Sequence, residues 1–188
     1  MTDVAPTTTS LHDLDGTYAI DASHSRVGFS TRHAMVTKVR GAFNDIEGSA
    51  STGTGLQDAS IRLTIQVGSV DTRSADRDGH LRSPDFFDVE TYPTMTFTST
   101  EVTAVDDETL RVTGDLTIKD VTRPVTVDFE YAGAATDPFG NQRIGFEGST
   151  VVNRKDFGLT WNAALETGGV LVAEKVTLEF EISAIKSV

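Results

Sequence analysis

The sequence lacks cysteine altogether, although the chain has 188 residues. This absence excludes iron–sulfur clusters, thiolate zinc sites, cysteine nucleophiles and CxxC redox motifs, because all of them need a thiol. A chain of this length buries roughly 70% of the surface that its unfolded form exposes. We therefore expect one globular domain whose hydrophobic core needs neither disulfides nor a structural metal.

Positive charge and long apolar runs are also scarce. The chain has 16 basic and 28 acidic side chains and a formal net charge of −12, so we expect no nucleic-acid partner. The longest apolar stretches, such as residues 170–173, are far shorter than the roughly 20 residues of a membrane-spanning helix. The first ten residues lack the basic and apolar regions of a secretory signal, which predicts a cytoplasmic protein without a membrane span.

Common enzyme motifs are missing as well. The sequence holds no GxSxG, HExxH, P-loop or GxGxxG pattern. Residues 74–85 imitate a calcium-binding loop, but Ser74 and Asp85 stand where such a loop has its first aspartate and its bidentate glutamate, so we interpret the similarity as a coincidence. From motifs alone we expect no catalytic residue, no metal site and no cofactor.

The dominant pattern is an alternation of apolar and polar residues, which is typical of half-buried β-strands. It is clearest at residues 176–182, and short Asp-, Asn- and Gly-containing segments separate consecutive strands as antiparallel hairpins require. Phe43 and Ile46 have opposite parity within one strand, which predicts a bulge or bend in that strand. Seven to nine such strands fit either a closed barrel or a two-sheet sandwich, and periodicity does not separate the two.

Three segments depart from the alternation. Residues 1–16 are rich in Thr, Pro, Ser and Asp, which predicts a disordered N-terminal tail before one domain at residues 17–188. Residues 48–55 are rich in Gly, Ser and Thr, which indicates a flexible loop. Residues 74–88 predict a short helical insertion, with Ser83 and Pro84 as the N-cap and first position of a helical turn.

Several motifs together resemble the YceI-like family. They are YAIDASHSRVGF at residues 18–29, RH at 32–33, GAF at 41–43, SVDT at 69–72, RDGHLRSPDFFD at 77–88, YPTMTF at 92–97, GDLTIKDVTRPV at 114–125 and RKDFGL at 154–159. They follow one another in the family's order over residues 17–185. The resemblance implies an all-β fold, namely an extended eight-stranded antiparallel lipocalin-like β-barrel with a short helical insertion.

The same resemblance implies a lipid-binding function. The barrel interior would bind, and carry or sequester, an isoprenoid lipid such as an isoprenoid quinone or a polyprenyl compound, in a homodimer without catalytic residues. The acidic net charge favours a neutral quinone over a diphosphate. The expected head-group or mouth residues are His33, Arg77 and His80. The expected apolar tunnel consists of Val27, Phe29, Phe43, Ile61, Leu63, Ile65, Val67, Phe86, Phe87, Met95, Phe97, Leu116, Phe129, Phe146, Trp161 and Leu178.

Two other functions stay open at this point. The first is a metal- or acid/base-dependent enzyme that uses His24, His33, Asp78 and His80 at the barrel mouth, since imidazole and carboxylate groups suit both kinds of chemistry. The second is an interaction protein that uses an exposed sheet edge and has no cavity. Arg73, Arg77 and Arg82 form a further cluster that suits a phosphate or carbonyl head group, unless local carboxylates pair with it.

Overall fold

A computed structural model describes residues 10–187, most of which lie in one antiparallel sheet. The strands of this part of the chain are β1 (Gly16–Ile20), β2 (Arg26–His33), β3 (Thr37–Phe43), β4 (Ile46–Thr52), β5 (Ser60–Gln66), β6 (Val70–Asp71), β7 (Thr94–Ala104), β8 (Thr109–Ile118), β9 (Val121–Thr136), β10 (Gln142–Asn153) and β11 (Lys175–Lys186). The α-helix is α1 (Ala75–Arg82), and 3₁₀ turns occupy Leu11–Asp13, Ala22–His24, Thr54–Leu56, Val67–Ser69 and Arg154–Phe157. No helix within residues 10–187 is long and apolar enough to cross a membrane.

Eight of the strands close into a barrel. Their order is β1-β4-β5-β7-β8-β9-β10-β11, and β1 pairs back onto β11 with Tyr18 opposite Lys186. Every one of these pairings is antiparallel. Residues 21–25 separate β1 from β2. Both strands pair with β11, β1 near the C-terminal end of β11 and β2 nearer its start, and β3 pairs with β2. The predicted eight-stranded barrel is confirmed, and the sandwich is excluded.

Alternation directs one face of each strand into the barrel. In β8, the buried residues are Leu110, Val112, Gly114, Leu116 and Ile118, while the residues between them are exposed or partly covered. The two-residue turn from β8 to β9 contains Lys119 with φ +59°, as tight hairpin turns require. The bulge or bend predicted within one strand is instead a break between two strands, because β3 ends at Phe43 and β4 begins at Ile46, with both side chains buried.

The loop predicted at residues 48–55 is wrong for its first half. Residues 48–52 belong to β4, which pairs with both β1 and β5. A Cβ at Gly48 would lie 2.8 Å from the Arg62 carbonyl oxygen and would also meet Ile20. Glycine is therefore needed here because neighbouring strands approach closely. The loop was predicted from the Gly, Ser and Thr content alone, which does not record this contact.

The helical turn predicted to begin at Ser83 is also wrong. Helix α1 precedes this residue: the Ser74 hydroxyl caps it by accepting from the Arg77 backbone N–H at 3.3 Å. Ser83 is the C-cap, and its ψ of 167° is extended because the following proline disfavours helical backbone at the preceding residue. Ser83 and Pro84 thus end a helix.

The tail predicted at residues 1–16 is partly outside the described residues and partly folded. Residues 1–9 are not described, whereas Ser10 and Asp13 form a capping box around the turn Leu11–Asp13. Leu11 is fully buried and Leu14 is nearly so, and both pack inside the barrel beside Tyr18. Their spacing of three residues places them on one face of the turn, a signal too short for periodicity to detect. We call this end of the barrel the N-terminal end and the opposite one, beside α1, the helix end.

An arginine clamp secures the barrel near its closure. Arg143 of β10 donates from Nη1 to Asp21 Oδ2 at 2.6 Å and from Nε to Asp137 Oδ2 at 2.8 Å. Hydrogen bonds from Arg143, Ser23 and His24 hold the pKa of Asp21 well below its usual range. For Asp137, desolvation raises the pKa, but hydrogen bonds from Asn141 and Arg143 outweigh it and the pKa is lowered. The clamp joins the break after β1 to the turn after β9.

The clamp predicts a pH-dependent effect of Arg143→Met. Because the folded-state pKa values of Asp21 and Asp137 lie below the unfolded value of about 3.9, their stabilisation is present above about pH 4 and is lost as the pH falls. We expect the variant to melt at a lower temperature than the parent at pH 7, with a difference that shrinks from about pH 5 to about pH 2. Thermal melts followed by circular dichroism measure it.

Arg62→Met is the control, because Arg62 is exposed and has no carboxylate partner within the described chain. Its melting temperature should follow that of the parent at each pH. A melting difference for Arg143→Met that does not depend on pH would contradict the account of the clamp.

Candidate functional site

The barrel encloses an apolar cavity of about 170 Å³. A single buried water needs only roughly 10–15 Å³, so the space has room for a larger molecule. All eight barrel strands contribute to the wall, and Tyr18 and Ser49 are its only residues with polar side chains among those described. Such a wall offers hydrocarbon contact along its length and few groups that would hold a charge.

Most of the predicted tunnel residues surround this cavity. Their shared property is an inward position on a barrel strand or on the extension that β2 and β3 form. They are Val27, Phe43, Ile61, Leu63, Ile65, Met95, Phe97, Leu116, Phe129, Phe146 and Leu178. The structure brings them together, and their contact with a ligand stays a prediction.

The remaining predicted tunnel residues do not line the cavity. Phe29, Val67, Phe86, Phe87 and Trp161 pack instead into the core of the helix end. Phe43 separates the two regions, since its ring lies 5.6 Å from that of Phe29 and 5.9 Å from that of Phe87. The physical reason is that β2 and the segment after α1 extend beyond the closed part of the barrel, so their aromatic rings fill its end.

Other lining residues were missed for two different reasons. The first group has the same alternation as the predicted residues and consists of Tyr18, Ile20, Leu110, Val112, Ile118, Val125, Val127, Ile144, Phe180 and Ile182. The second group carries small side chains and consists of Gly28, Ser49, Ala50 and Ala184. Small residues give no apolar signal in a sequence, yet they leave the volume that larger side chains would fill.

Aromatic contacts cover the helix end. His80 of α1 lies edge-on between two rings, with centroid distances of 5.0 Å to Phe86 and 4.6 Å to Trp161. Trp161 belongs to residues 159–173, which we call the strap, between the 3₁₀ turn Arg154–Phe157 and β11. The N-terminal end is covered by Leu11 and Leu14. Both ends of the barrel therefore carry packed side chains.

A buried arginine holds the strap in place. Arg154 is only 4% exposed and donates to the carbonyl oxygens of Ala173 at 2.8 Å, Leu159 at 2.6 Å, Trp161 at 2.9 Å and Val172 at 3.2 Å. Burial lowers the pKa of Arg154. Its role was missed because a buried arginine that binds backbone carbonyls has no signature in the sequence.

The imidazoles proposed for catalysis have separate partners. His24 Nδ1 lies 2.7 Å from Asp21 Oδ2, and His80 Nε2 lies 2.9 Å from Asp85 Oδ2. His33 ends β2, where its backbone bridges to the strap. Within residues 10–187, no group of three or more His, Asp or Glu side chains is placed to hold a metal ion. The geometry therefore does not assemble His24, His33, Asp78 and His80 into one site.

The carboxylate in that set has a structural task. Asp78 is buried and accepts from the backbone N–H of Thr72 at 2.9 Å and from its hydroxyl at 2.6 Å. Both Asp78 and Asp76 lie within helix α1, so residues 74–85 do not form a calcium loop. The helical structure of residues 75–82 agrees with our interpretation that the similarity to a calcium-binding loop is a coincidence.

The expected head-group residues do not reach the cavity. None of His33, Arg77 and His80 is among its lining residues. Arg77 donates from Nε to the Thr72 hydroxyl and from Nη2 to the Thr72 carbonyl, both at 2.7 Å. Arg82 likewise donates to backbone carbonyls, those of Gly68 and Val70. These two arginines fasten α1 to the barrel, since their N–H groups bind the Thr72 hydroxyl and backbone carbonyls rather than carboxylates.

Comparison with known sequences gives consistent matches. The family model for the YceI-like domain matches residues 18–184. A UPF0312 protein of Ectopseudomonas mendocina is 40% identical over 146 residues, which is 76% of each chain. A UPF0312 protein of Staphylococcus epidermidis is 38% identical over 172 residues, which is 89% of this chain and 95% of the relative.

Solved structures show the same architecture. BcnA of Burkholderia cenocepacia matches with a TM-score of 0.76 and 25% identity, over 87% of this chain and 98% of BcnA. A YceI protein of Campylobacter jejuni matches with a TM-score of 0.72 and 29% identity, over 84% of this chain and 90% of that protein. A polyisoprenoid binding domain from Saccharophagus degradans matches with a TM-score of 0.70 and 18% identity, over 90% and 98%.

The strap contacts predict the effect of Arg154→Met. The substitution removes a donor from four carbonyl oxygens, of which that of Val172 keeps a second donor, Asn162 Nδ2 at 2.8 Å. We therefore expect a loss of about 2–4 kcal/mol in the free energy of unfolding. Trp161 is the only tryptophan, so its emission reports on the strap and should shift to longer wavelength. Urea unfolding and fluorescence measure both effects.

Lys155→Met is the matched control, because Lys155 is the next residue and makes only an exposed ion pair with Glu174. It should leave both the emission and the stability close to those of the parent. Equal effects of the two substitutions would contradict the role given to Arg154.

Proposed function

The chain belongs to the YceI-like family, because the family model matches residues 18–184, and from this premise we propose that its barrel binds the apolar chain of an isoprenoid lipid. The observation that carries the proposal is the apolar cavity inside the barrel, whose lining side chains are hydrocarbon or thioether apart from Tyr18 and Ser49. The Saccharophagus degradans neighbour, which shares the fold, is described as a polyisoprenoid binding domain. That description supports the class of ligand.

The shape of the lining favours a long, thin ligand. Lining residues extend from Leu110 to Ile118 on the single strand β8, eight positions apart. At about 3.3 Å per residue, they span about 26 Å along the strand. Burial of an apolar tail contributes roughly 25 cal/mol per Å² of area removed from water, so affinity should increase with tail length.

The wall also favours a neutral ligand. No acidic or basic side chain is among the lining residues, and a charge buried without a partner is strongly unfavourable. The Tyr18 hydroxyl already donates to the Asp15 carbonyl at 3.0 Å. We therefore propose an isoprenoid quinone in preference to a polyprenyl phosphate, and a role in carrying or sequestering it.

Catalysis is not part of the proposal. His24, Asp78 and His80 have separate hydrogen-bond partners, and His33 does not line the cavity, so no shared acid–base or metal site supports the enzyme alternative. An interaction protein without a cavity is also disfavoured by the enclosed space. The homodimer and the cytoplasmic location stay predictions.

A tail-length series tests ligand binding directly. Delipidated protein is titrated with quinones that share one head group and differ in the number of isoprene units, and binding is measured by mass spectrometry of the intact complex. We expect affinity to increase with each added unit until the cavity is filled. Affinity that is independent of tail length, or no binding, would contradict the proposal.

Substitution of a small lining residue tests the location of the ligand. Ala50→Leu adds three carbon atoms inside the cavity and should lower affinity about tenfold or more, because they occupy the space of the tail. Ala135→Leu makes the same change at an exposed position of β9 and should leave affinity unchanged. Thermal melts establish that both variants fold. Equal affinities of Ala50→Leu and the parent would place the ligand elsewhere.

A further inference from the structure

We propose that the turn between β2 and β3 docks the protein on an anionic lipid bilayer. The surface consists of residues 32–40, which we call the hairpin tip. Its centre is the turn Ala34, Met35 and Val36, and its flanks carry Arg32, Lys38 and Arg40. Apolar contact at the centre and positive charge at the flanks are the two properties that interfacial membrane anchors combine.

The centre of the hairpin tip is apolar and exposed. Met35 is 65% exposed and Val36 is 73% exposed, although they are adjacent at the end of a hairpin. Ala34 and Met35 have φ values of 51° and 62°, a left-handed backbone that glycine or asparagine adopts at lower cost. Fold stability alone would favour a polar or glycine-containing turn, so apolar side chains at this position indicate a contact outside the chain.

The flanks of the hairpin tip carry unneutralised positive charge. Arg32 is directly opposite Lys38 in the strand register, and Arg40 is opposite Ser30, so the three cations share one face. None of the three has a carboxylate within ion-pair distance among the described residues. Like charges directly opposite each other destabilise a sheet. An external anion that binds Arg32 and Lys38 explains why this pair is present.

The charge distribution along the chain supports the same partner. Residues 22–43 contain four basic side chains and no aspartate or glutamate, in a chain that has 28 acidic residues. Charges elsewhere on the protein surface are screened over about 8 Å at physiological ionic strength. The local positive field of the hairpin tip can therefore attract anionic lipid although the whole chain is acidic.

The hairpin tip lies against the strap that covers the helix end of the barrel. The Ala34 backbone N–H donates to the Leu171 carbonyl at 2.7 Å, and the Met35 sulfur packs against Gly169. Val170 of the strap is also 40% exposed. Docking would bring the strap to the bilayer surface, where an isoprenoid lipid enters or leaves. This purpose rests on the proposed function, whereas docking itself does not need a ligand.

A second copy of the chain is a poorer occupant of the same surface. A two-fold dimer contact places the same residues of both copies against each other. Arg32, Lys38 and Arg40 of one copy would then face those of the other, and the unpaired positive charges would repel. A bilayer with anionic head groups satisfies both the charge and the apolar side chains.

Vesicle sedimentation tests the proposal with the full chain. We expect the protein to bind vesicles of phosphatidylcholine and phosphatidylglycerol about tenfold more tightly than vesicles of phosphatidylcholine alone, with affinity that falls as salt is raised. Lys38→Glu with Arg40→Glu should remove this preference, and Met35→Ser with Val36→Ser should weaken binding to both kinds of vesicle. All four side chains are exposed, so the fold should tolerate the changes.

Matched controls separate a specific surface from general effects. Phe139→Ser removes a 90% exposed aromatic residue at the turn between β9 and β10, which lies at the opposite end of the barrel. Arg62→Glu with Arg123→Glu reverses the same number of charges at exposed positions elsewhere, where neither arginine has a carboxylate partner among the described residues. Both controls should bind anionic vesicles like the parent. Equal binding to both kinds of vesicle, or unchanged binding by the hairpin-tip variants, would overturn the proposal.

Two further measurements remove the remaining alternatives. If Met35→Ser with Val36→Ser converts a dimer into a monomer in analytical ultracentrifugation and leaves vesicle binding unchanged, the hairpin tip is a contact between copies and the proposal is wrong. Ala50→Leu should dock like the parent although it retains less lipid. The hairpin-tip variants therefore test docking, and Ala50→Leu tests ligand binding, so that a failure of one proposal is distinguished from a failure of the other.

Discussion

Backbone pairing between β1 and β11 joins the two ends of the sheet, and the cavity depends on this closure. Tyr18, Ala19 and Ile20 lie opposite residues 184–186, although more than 160 positions separate them in the chain. Arg143 reinforces the junction through Asp21 and Asp137. An open sheet of the same sequence would expose its apolar face to water, whereas the closed one surrounds that face and satisfies the backbone at its edges.

Packing within the barrel is uneven, and the unevenness creates the candidate site. Aromatic rings fill the helix end, and Leu11 and Leu14 cover the N-terminal end. Between them, small residues such as Ala50 and Ala184 face inward where larger side chains would fill the space. The barrel therefore combines well-packed ends with an apolar space between them, which is the arrangement that favours retention of a hydrocarbon chain.

Sequence patterns predicted the strands and much of the wall, because alternation directly records which side chains face inward. They could not choose between barrel and sandwich, because that choice depends on the distant pairing of β1 with β11. Glycine at position 48 was taken for a loop residue, Leu11 for part of a tail, and the contacts of Arg154 had no signature at all. In each case the deciding factor was a tertiary contact, which residue type and local spacing do not encode.

An isoprenoid chain in the space between the two packed ends would lie next to the methyl groups of the barrel wall. Nuclear Overhauser effects between a bound isoprenoid quinone and labelled protein methyl groups test this position of the chain. We expect contacts with Ile61, Leu116 and Ile144, which line the cavity on three different strands, if the chain has this position. Contacts confined to exposed methyl groups, such as those of Val151 on the outer face of β10, would contradict it.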